Sequence, residues 1–550
     1  MKIRWGTGGG ERFPLEHERK VGLAMRRGST NGSGAESDAK TRPSTRRGRS
    51  DKGGVAKAKV AKTKNAPKEK PRGKSSRKAA GRGKASHDIK HPPAFVDFML
   101  RDWATRPRKV SRIKGAERFA KRRQALSEAF PGETIIIPTG REQFRNDDAN
   151  YRFRANSSFY YLTGNTEPDC VLVLEPRQRG HRSVLFVEPN PGRSSPTFFT
   201  DRHKGELWVG PRLGVPESRE RFGVDAAEPL DKLDEALSPL KKSGAYRVLQ
   251  GVDPGVDRRL RRQDQRNHEL AVFLAEQRLI KDTHELQALK KAAAATRRGF
   301  DDIVRVLPGA TNEREVEGAF YARARREGND TGYNIIAAAG EHACILHWNA
   351  NNGRLRKGDL LLVDAGIEGD ELYTADVTRT LPISGTYSKA QRAVYEIVIA
   401  AQRAAIAAVK PGNPFLAPHR AASEVLAQGL VDLGVLRMPV DEILDPEHQF
   451  HRRYTLHGTS HMLGLDVHDC SAARSERYRQ GTLEPGMVLT IEPGLYFQPD
   501  DLTVPKRLRG IGIRIEDDVA VSARGRRVLT DVPREPDDVE AWMTSLWSEG

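Results

Sequence analysis

A set of acidic and histidine residues on predicted strands, spread over residues 364–516, constrains this chain more than any other feature. Asp364, Glu492 and Glu516 each follow a short apolar run of the kind that forms a buried strand. A carboxylate buried in such a strand is costly unless it is paired with a cation or coordinates a metal. The set therefore needs a shared counter-charge, which metal cations supply.

A structural ion pair is the alternative explanation for any one of these carboxylates. Arg379 and Arg514 can each neutralise one acidic group, but two arginines do not balance the four carboxylates of the set. A lone histidine is more often a core residue than a ligand. The segment 457–469, however, carries three histidines with glycines between them, which favours a site over one face of a helix.

The charge of the chain is concentrated at its N-terminus. Residues 1–91 hold 26 Lys and Arg against 8 Asp and Glu, a net charge of +18 out of +19 for the 550 residues. With Trp5 and Phe13 as its only aromatic residues, this segment cannot bury enough apolar area to fold, and we predict a disordered tail. Its charge favours weak, salt-sensitive contact with nucleic acid, although no aromatic residues are interleaved for base stacking. A solvated tail without a partner, or a start site assigned too early, is the explanation that we prefer for this charge.

The cysteine content and the apolar runs indicate the compartment. Cys170, Cys344 and Cys470 are few, odd in number and widely spaced, which fits a reducing environment better than a disulfide framework. No apolar run has the roughly 18 residues of a membrane span, and no secretory signal is evident near the N-terminus. We expect a cytoplasmic protein.

The body of the chain predicts an α/β (α+β) protein of two domains. In 92–277, four short β-rich runs alternate with helical pieces, which predicts a mixed or largely parallel sheet. In 278–535, capping boxes at 282–285 and 388–391 open helices, which alternate with strands. We expect the acidic residues 536–550 to form a peripheral C-terminal extension.

The donor set suits hard divalent cations. Four carboxylates and one imidazole favour manganese, magnesium or cobalt over a thiolate-loving metal, while zinc and iron stay open. Four negative charges balance two divalent ions, which together lower the pKa of a shared water towards neutrality. Other common sites fail on spacing, because the chain lacks a zinc HExxH motif and a GxxxxGK[ST] phosphate loop.

Five stretches of the sequence resemble the pita-bread metallopeptidases and, among them, aminopeptidase P, the Xaa-Pro aminopeptidases. The first four surround the acidic and histidine residues, and the fifth lies in the first predicted domain; the stretches are 363–380, 457–469, 490–496, 512–517 and 151–164. The resemblance covers roughly residues 92–530 and leaves out the tail. It implies an aminopeptidase P-type N-terminal domain at 92–277 and a pita-bread catalytic domain at 278–535.

The resemblance also implies a role for each site residue. The metal ligands are Asp364, Asp376, His461, Glu492 and Glu516, with Asp376 and Glu516 bridging two ions that are usually manganese. His347, His457 and His468 match the active-site histidines, and Glu492 matches the residue that transfers protons. The loop from Asp364 to Asp376 is a residue longer than in many relatives, and we expect the hairpin to absorb it.

The implied reaction removes the N-terminal residue from peptides with proline second (Xaa-Pro-Yaa), and we expect a homo-oligomer without membrane contact. A prolidase, which cleaves only Xaa-Pro dipeptides, shares nearly all the metal motifs and remains an alternative. A pseudo-enzyme of the same fold that binds peptides or nucleic acid through its basic tail is a second alternative. Such proteins typically lose metal ligands, whereas all five ligand positions are filled here.

Overall fold

The computed structural model of the chain describes residues 90–104, 109–261 and 263–549. The predicted disorder and nucleic-acid contact of the tail fall almost wholly outside these ranges and stay predictions. We call residues 90–281 the N-terminal region and residues 282–549 the C-terminal region.

The N-terminal region contains a mixed five-stranded sheet flanked by helices. Its helices are α1 (Pro93–Met99), α2 (Ala116–Ala129), α3 (Ser157–Thr163), α4 (Thr197–Thr200), α5 (Glu206–Val209), α6 (Val215–Phe222), α7 (Leu233–Leu237), α8 (Leu240–Ser243), α9 (Pro254–Arg259) and α10 (Asp264–Leu279). Its strands are β1 (Thr134–Pro138), β2 (Phe144–Asn146), β3 (Ala149–Asn150), β4 (Val171–Pro176), β5 (His181–Val187), β6 (Ala226–Pro229) and β7 (Tyr246–Val248). The order of the sheet is β6-β5-β4-β1-β7.

Both parallel and antiparallel pairs occur in this sheet. Strand β4 is antiparallel to β1 and β5. At the two edges of the sheet, β7 is parallel to β1 and β6 is parallel to β5. The four predicted β-rich runs form β1, β4, β5 and β7, so the prediction of a mixed sheet is confirmed. Alternate residues of β1 enter different apolar cores: Ile135 and Ile137 lie in one, and Ile136 lies in the other.

The C-terminal region repeats one pattern twice: a pair of helices followed by antiparallel strands. Its helices are α11 (Thr283–Val306), α12 (Glu313–Glu327), α13 (Lys389–Ala408), α14 (Ala417–Asp432), α15 (Val440–Leu444) and α16 (Pro536–Ser548). Its strands are β8 (Asp330–Thr331), β9 (Ile336–Ala339), β10 (Leu360–Asp364), β11 (Ile367–Glu368), β12 (Thr378–Pro382), β13 (Val488–Ile491), β14 (Gly494–Tyr496), β15 (Gly512–Arg514), β16 (Asp517–Ser522) and β17 (Gly525–Val528).

Local sequence signals fix the starts of the long helices. The Asp282 side chain accepts hydrogen bonds from the first turn of α11, and Glu285 bonds back to the Asp282 backbone N–H. Ser388 and Gln391 form the same reciprocal pair at the start of α13. Both predicted capping boxes are therefore confirmed. These helices are amphipathic and pack over the strands, which carry the acidic residues at their ends.

Antiparallel pairing brings those strand ends together. Strand β10 lies between β9 and β12, and β16 lies between β13 and β17. The short pair β14–β15 connects the two halves, because the Glu516 N–H after β15 bonds to the Thr378 carbonyl of β12. The ends of β10, β13 and β15, which carry Asp364, Glu492 and Glu516, thus converge on one interior point.

Apolar packing joins the two regions and includes the end of the chain. The core on the Ile135 side of the N-terminal sheet also contains Leu372, Leu463 and Val488 of the C-terminal region. Trp542 of α16 is buried in the main C-terminal core. The prediction that residues 536–550 are peripheral is therefore wrong, since their apolar residues recur at helical spacing. In the described part of the chain, no helix has the length and apolar character needed to cross a membrane.

Candidate metal centre

Asp364 and Asp376 meet beneath a tyrosine hydroxyl. Asp364 ends β10 opposite Thr378 of β12, and Asp376 lies just before β12, so the hairpin between them closes at one place. The Tyr333 hydroxyl lies 2.7 Å from Asp364 Oδ1 and 2.5 Å from Asp376 Oδ1. Leu372 adopts a positive φ of 61° at the hairpin tip. The loop between Asp364 and Asp376 therefore does not separate the two aspartates.

His461 and Glu516 complete a tight group with Asp376. The ligand atoms of these three residues all lie within 4.8 Å of one another. His461 Nε2 is 3.3 Å from Asp376 Oδ2, and the Thr378 hydroxyl donates to Glu516 Oε2 at 2.7 Å. The backbone of His461 is held by β13, because the Thr490 N–H donates to its carbonyl.

Glu492 lies between two histidines. Its Oε1 is 3.5 Å from His461 Nε2, and its Oε2 is 3.5 Å from His457 Nδ1. The structure therefore brings all five sequence-predicted ligands into one pocket: Asp364, Asp376, His461, Glu492 and Glu516. Their side chains are buried or nearly so.

When the carboxylates of this site are ionised, the protein supplies too few positive charges nearby to balance them. Burial, reinforced by the negative charges of neighbouring carboxylates, raises the pKa of Glu492 to about 7 and that of Glu516 well above its ordinary range. Burial also raises the pKa of Asp364 although Arg514 counters it. Burial opposes the charge on His461, but its hydrogen bond with Asp376 and the Glu492 charge outweigh that cost and raise its pKa to about 9.

Divalent cations fit this donor set. The four carboxylates and the imidazole face one another. Among the described residues, Arg514 is the only arginine whose guanidinium group contacts one of these four carboxylates, through its 2.6 Å bond to Asp364. Arg379, the other candidate counter-ion, pairs instead with Asp517. Oxygen-rich donors with an excess of negative charge are the environment that hard divalent ions occupy.

A chain of hydrogen bonds leads from Asp364 to His457. Arg514 donates to Asp364 through Nη2 and to the Tyr496 hydroxyl through Nη1 at 2.9 Å. The Tyr496 hydroxyl is 2.7 Å from His457 Nε2, and His457 Nδ1 lies 2.8 Å from the Gly458 carbonyl. Because a carbonyl only accepts, Nδ1 carries the hydrogen and Tyr496 donates to Nε2. Burial lowers the pKa of His457 to about 4, so the ring is neutral at neutral pH.

His347 and His468 lie at the exposed side of the same site. The His468 ring contacts the His461 ring edge to face, with centroids 4.5 Å apart. Burial, and then the proximity of His461, lower the pKa of His468, and His347 contributes to the lowered pKa of both His457 and His468. The structure therefore places the three predicted active-site histidines around the five ligands.

Tyr333 and Asp518 are site residues that the sequence analysis missed. Asp518 is 1% exposed and accepts a hydrogen bond from the Asp376 N–H, which fixes the backbone of that ligand. The signal for Asp518 was its place two residues after Glu516, in the buried strand β16. Tyr333 offered none, because it lies in a turn 31 residues before Asp364 and only the folded hairpin brings them together.

Comparisons with known proteins agree with this geometry. Residues 119–249 match the family model described as aminopeptidase P, N-terminal domain, and residues 287–523 match metallopeptidase family M24. Xaa-Pro aminopeptidase 1 of Streptomyces coelicolor is 51% identical over 458 residues, which are 82% of this chain and 92% of that protein. Xaa-Pro aminopeptidase of Escherichia coli is 36% identical over 78% of this chain and 98% of that protein.

Solved structures show the same likeness. Aminopeptidase P from E. coli with the inhibitor Pro-Leu aligns with a TM-score of 0.71 and 33% identity, covering 80% of this chain and all of that chain. The zinc-substituted E. coli enzyme in complex with product aligns with a TM-score of 0.70 and 34% identity, covering 79% and 99% of the two chains. The likeness thus extends over both the N-terminal and C-terminal regions.

Proposed function

Because the chain belongs to the aminopeptidase P family of M24 metallopeptidases, we propose that its buried centre hydrolyses the bond between an N-terminal residue and a following proline. The C-terminal region is the pita-bread catalytic unit of this Xaa-Pro aminopeptidase. The observation that carries the proposal is the convergence of four buried carboxylates and one histidine on a site with too few protein counter-charges.

The five converging residues are the ligands that we assign to the divalent ions: Asp364, Asp376, His461, Glu492 and Glu516. Asp376 and Glu516 lie within 4.8 Å of each other and of His461, and these residues would hold the ions together with Asp364 and Glu492. Manganese is the metal that we propose, because the family resemblance implies it and the oxygen-rich donor set suits it. When bound, the ions lower the pKa of a water and polarise the scissile carbonyl.

Glu492 is the residue to which we assign proton transfer. Its carboxylate lies at the site surface between His457 and His461, with its side chain 16% exposed. It accepts a proton from the attacking water and delivers it to the proline nitrogen. That imide nitrogen carries no hydrogen of its own, so its departure requires a proton.

The histidines orient the substrate carbonyl. His347 and His468 lie at the exposed side of the pocket, where a ring N–H can donate to oxygen as negative charge develops. His457 has both ring nitrogens engaged, so it positions Glu492 and Tyr496 rather than holding the substrate in this conformation. The free amine of the substrate binds at the acidic side of the site, which limits cleavage to one residue.

A comparison of three substrates with the purified, manganese-loaded protein tests the proposal. Cleavage of Xaa-Pro-Yaa at Xaa-Pro, slower cleavage of the Xaa-Pro dipeptide and no cleavage of Xaa-Ala-Yaa are the expected results. Cleavage confined to the dipeptide would identify a prolidase. Low metal content with tight DNA binding and no hydrolysis would identify a pseudo-enzyme.

An exposed aromatic patch supports the proposal of a homo-oligomer. Phe98 of α1 is 73% exposed, and Trp208 of α5 is 53% exposed. Phe95 and Phe199 connect α1 with α4 at a ring distance of 5.9 Å, and Trp208 bonds to the Phe199 carbonyl. Exposed apolar patches of this kind mark protein interfaces, most often with a second copy.

Sedimentation equilibrium measures the oligomeric state. We expect Trp208→Glu to shift the protein towards monomer, whereas Leu502→Glu, at an 82% exposed leucine outside the patch, leaves it unchanged. A cytoplasmic location belongs to the same proposal, supported by the three cysteines, which are buried and free.

A further inference from the structure

Arg154 is part of the 151–164 stretch that resembles the family, yet the chemistry proposed above does not use it. It lies between β3 and α3 in the N-terminal region, with its side chain 31% exposed. Its guanidinium group points into the C-terminal region and bonds to two separate segments there. Both segments carry metal-site residues at each end.

The first segment is the hairpin between Asp364 and Asp376. Arg154 Nε donates to Glu368 Oε2 at 2.8 Å, and Glu368, on β11, is itself 4% exposed. The other oxygen of Glu368 accepts from Asn329 at 2.7 Å. Arg154 is the cation that compensates this buried carboxylate, so the contact fixes the hairpin as well as the arginine.

The second segment is the loop between His461 and His468. Arg154 Nη2 donates to the Leu465 carbonyl at 2.5 Å, and Nη1 donates to the Ser157 hydroxyl at 2.7 Å. Ser157 in turn donates to Asp466 Oδ1 at 2.5 Å. One guanidinium group therefore holds this loop both directly and through a neighbouring hydroxyl.

The two segments also touch each other beside Arg154. The Thr374 N–H of the hairpin donates to the Gly464 carbonyl of the loop at 3.0 Å. This single backbone bond sits two residues from Asp376 and three from His461. A small shift of either segment at this junction therefore changes the distance between Asp376 and His461.

We propose that Arg154 is a positioning residue through which the N-terminal region sets the relative placement of the hairpin and the histidine loop. The fork of the guanidinium group suits this task, because its donors point in fixed directions towards acceptors in both segments at once. A lysine carries the same charge but cannot reproduce that geometry. The inference rests on the proposed peptidase function and adds a role for the N-terminal region in it.

Steady-state kinetics on Xaa-Pro-Yaa with the full chain tests the inference. We expect Arg154→Met to lower kcat/KM about 10- to 100-fold, the usual loss when a support of a metal site is removed. The matched control is Arg152→Met, two residues away, whose ion pair is made with Asp330 of β8, a residue outside both segments, and whose side chain is 48% exposed. Its kcat/KM should stay within about twofold of the parent protein.

A double-mutant cycle separates positioning from general stability. Glu368→Gln removes the charge of the main acceptor, and the Arg154→Met, Glu368→Gln protein should lose no more kcat/KM than the worse single variant. Arg154→Lys should fall between Arg154→Met and the parent. Equal thermal midpoints in Arg154→Met and Arg152→Met would show that the kinetic loss is not unfolding.

Three outcomes overturn the inference. They are unchanged kinetics of Arg154→Met, additive losses in the double variant, and unfolding of both Arg154 variants, which would assign Arg154 to stability alone. Failure of the parent protein to cleave Xaa-Pro-Yaa would instead overturn the proposed function. A parent protein that cleaves while Arg154→Met is normal overturns only the positioning role.

Discussion

Glu516 and Asp517 are adjacent in the chain, and each is 1% exposed, yet their surroundings are opposite. Asp517 accepts hydrogen bonds from Arg379, Arg534, Gln402 and Thr530. Burial raises its pKa, but Arg379 and Arg534 reverse the effect, so the net pKa of Asp517 is lowered. Glu516 lies just before β16 beside three further carboxylates, and burial together with their negative charges raises its pKa well above the ordinary range.

The contrast shows why burial alone does not identify a metal site. Successive side chains of a strand point to opposite faces, so two neighbouring acids enter different environments. The protein supplies its own cations to Asp517, which makes that cluster structural. It leaves the Glu516 cluster short of positive charge, which makes that cluster a binding site. Four experiments test this division, from the largest expected effect to the smallest.

Replacement of a ligand should abolish activity and spare the fold. We expect Asp376→Ala to lower kcat/KM at least about 1,000-fold, because the site loses one of the five ligands that we propose. Its thermal midpoint without metal should not fall, since a repelling charge has been removed. Peptide cleavage and circular dichroism measure the two effects. Normal turnover by this variant would rule out the two-metal assignment.

Replacement of the structural cation should do the reverse. Arg379 is fully buried, and Arg379→Met leaves Asp517 with Arg534 as its remaining cation. Removing one partner of a buried pair costs about 3–5 kcal/mol in the free energy of unfolding. Urea denaturation measures this loss, and Arg534→Met, at a partly exposed partner, should cost less. A normal free energy of unfolding would contradict the structural role of the pair.

The metal-free protein should lose stability as pH rises. Glu492 has a folded pKa of about 7 against an ordinary 4.5, so the native state binds its proton more tightly. This stability is complete below pH 4.5 and disappears as pH rises through 7, on the order of 3 kcal/mol for one group. The raised pKa of His461 acts in the same direction.

Chemical denaturation at pH 5 and pH 8 measures the effect, and added manganese should remove or reverse it. The lowered pKa of Asp517 contributes stability that is lost only as pH falls below 3.8, so that cluster adds no slope in this window. A metal-free protein that is more stable at pH 8 than at pH 5 would contradict the excess of negative charge at the site.

The hydrogen-bond chain from Asp364 to His457 should have the smallest effect. Tyr496→Phe keeps the ring but removes the hydroxyl that joins Arg514 to His457. We expect kcat to fall about tenfold with KM nearly unchanged, because the variant disturbs positioning rather than substrate contact. Tyr454→Phe, whose hydroxyl contacts Thr503 away from the ligands, is the matched control. Equal kinetics of the two variants would exclude a role for the chain.

Local signals predicted much of the fold. The capping boxes at Asp282 and Ser388 fixed the starts of α11 and α13, since a cap and its partner lie within one turn. The apolar runs before Asp364 and Glu492 form β10 and β13, again because the signal lies within the segment itself. The α16 segment was misjudged, because its acidic first turn concealed the buried residues Val539 and Trp542.

The sequence by itself determined which residues are available for the site: acidic groups at the ends of apolar strands and histidines between glycines have no other favourable place in a buried core. Only the tertiary structure decided how they are used. Arg379 and Arg514 look alike in the sequence, yet one neutralises Asp517 and the other Asp364. The physical reason is that charge compensation depends on distances of a few ångströms between segments that are far apart in the chain, and packing alone sets those distances.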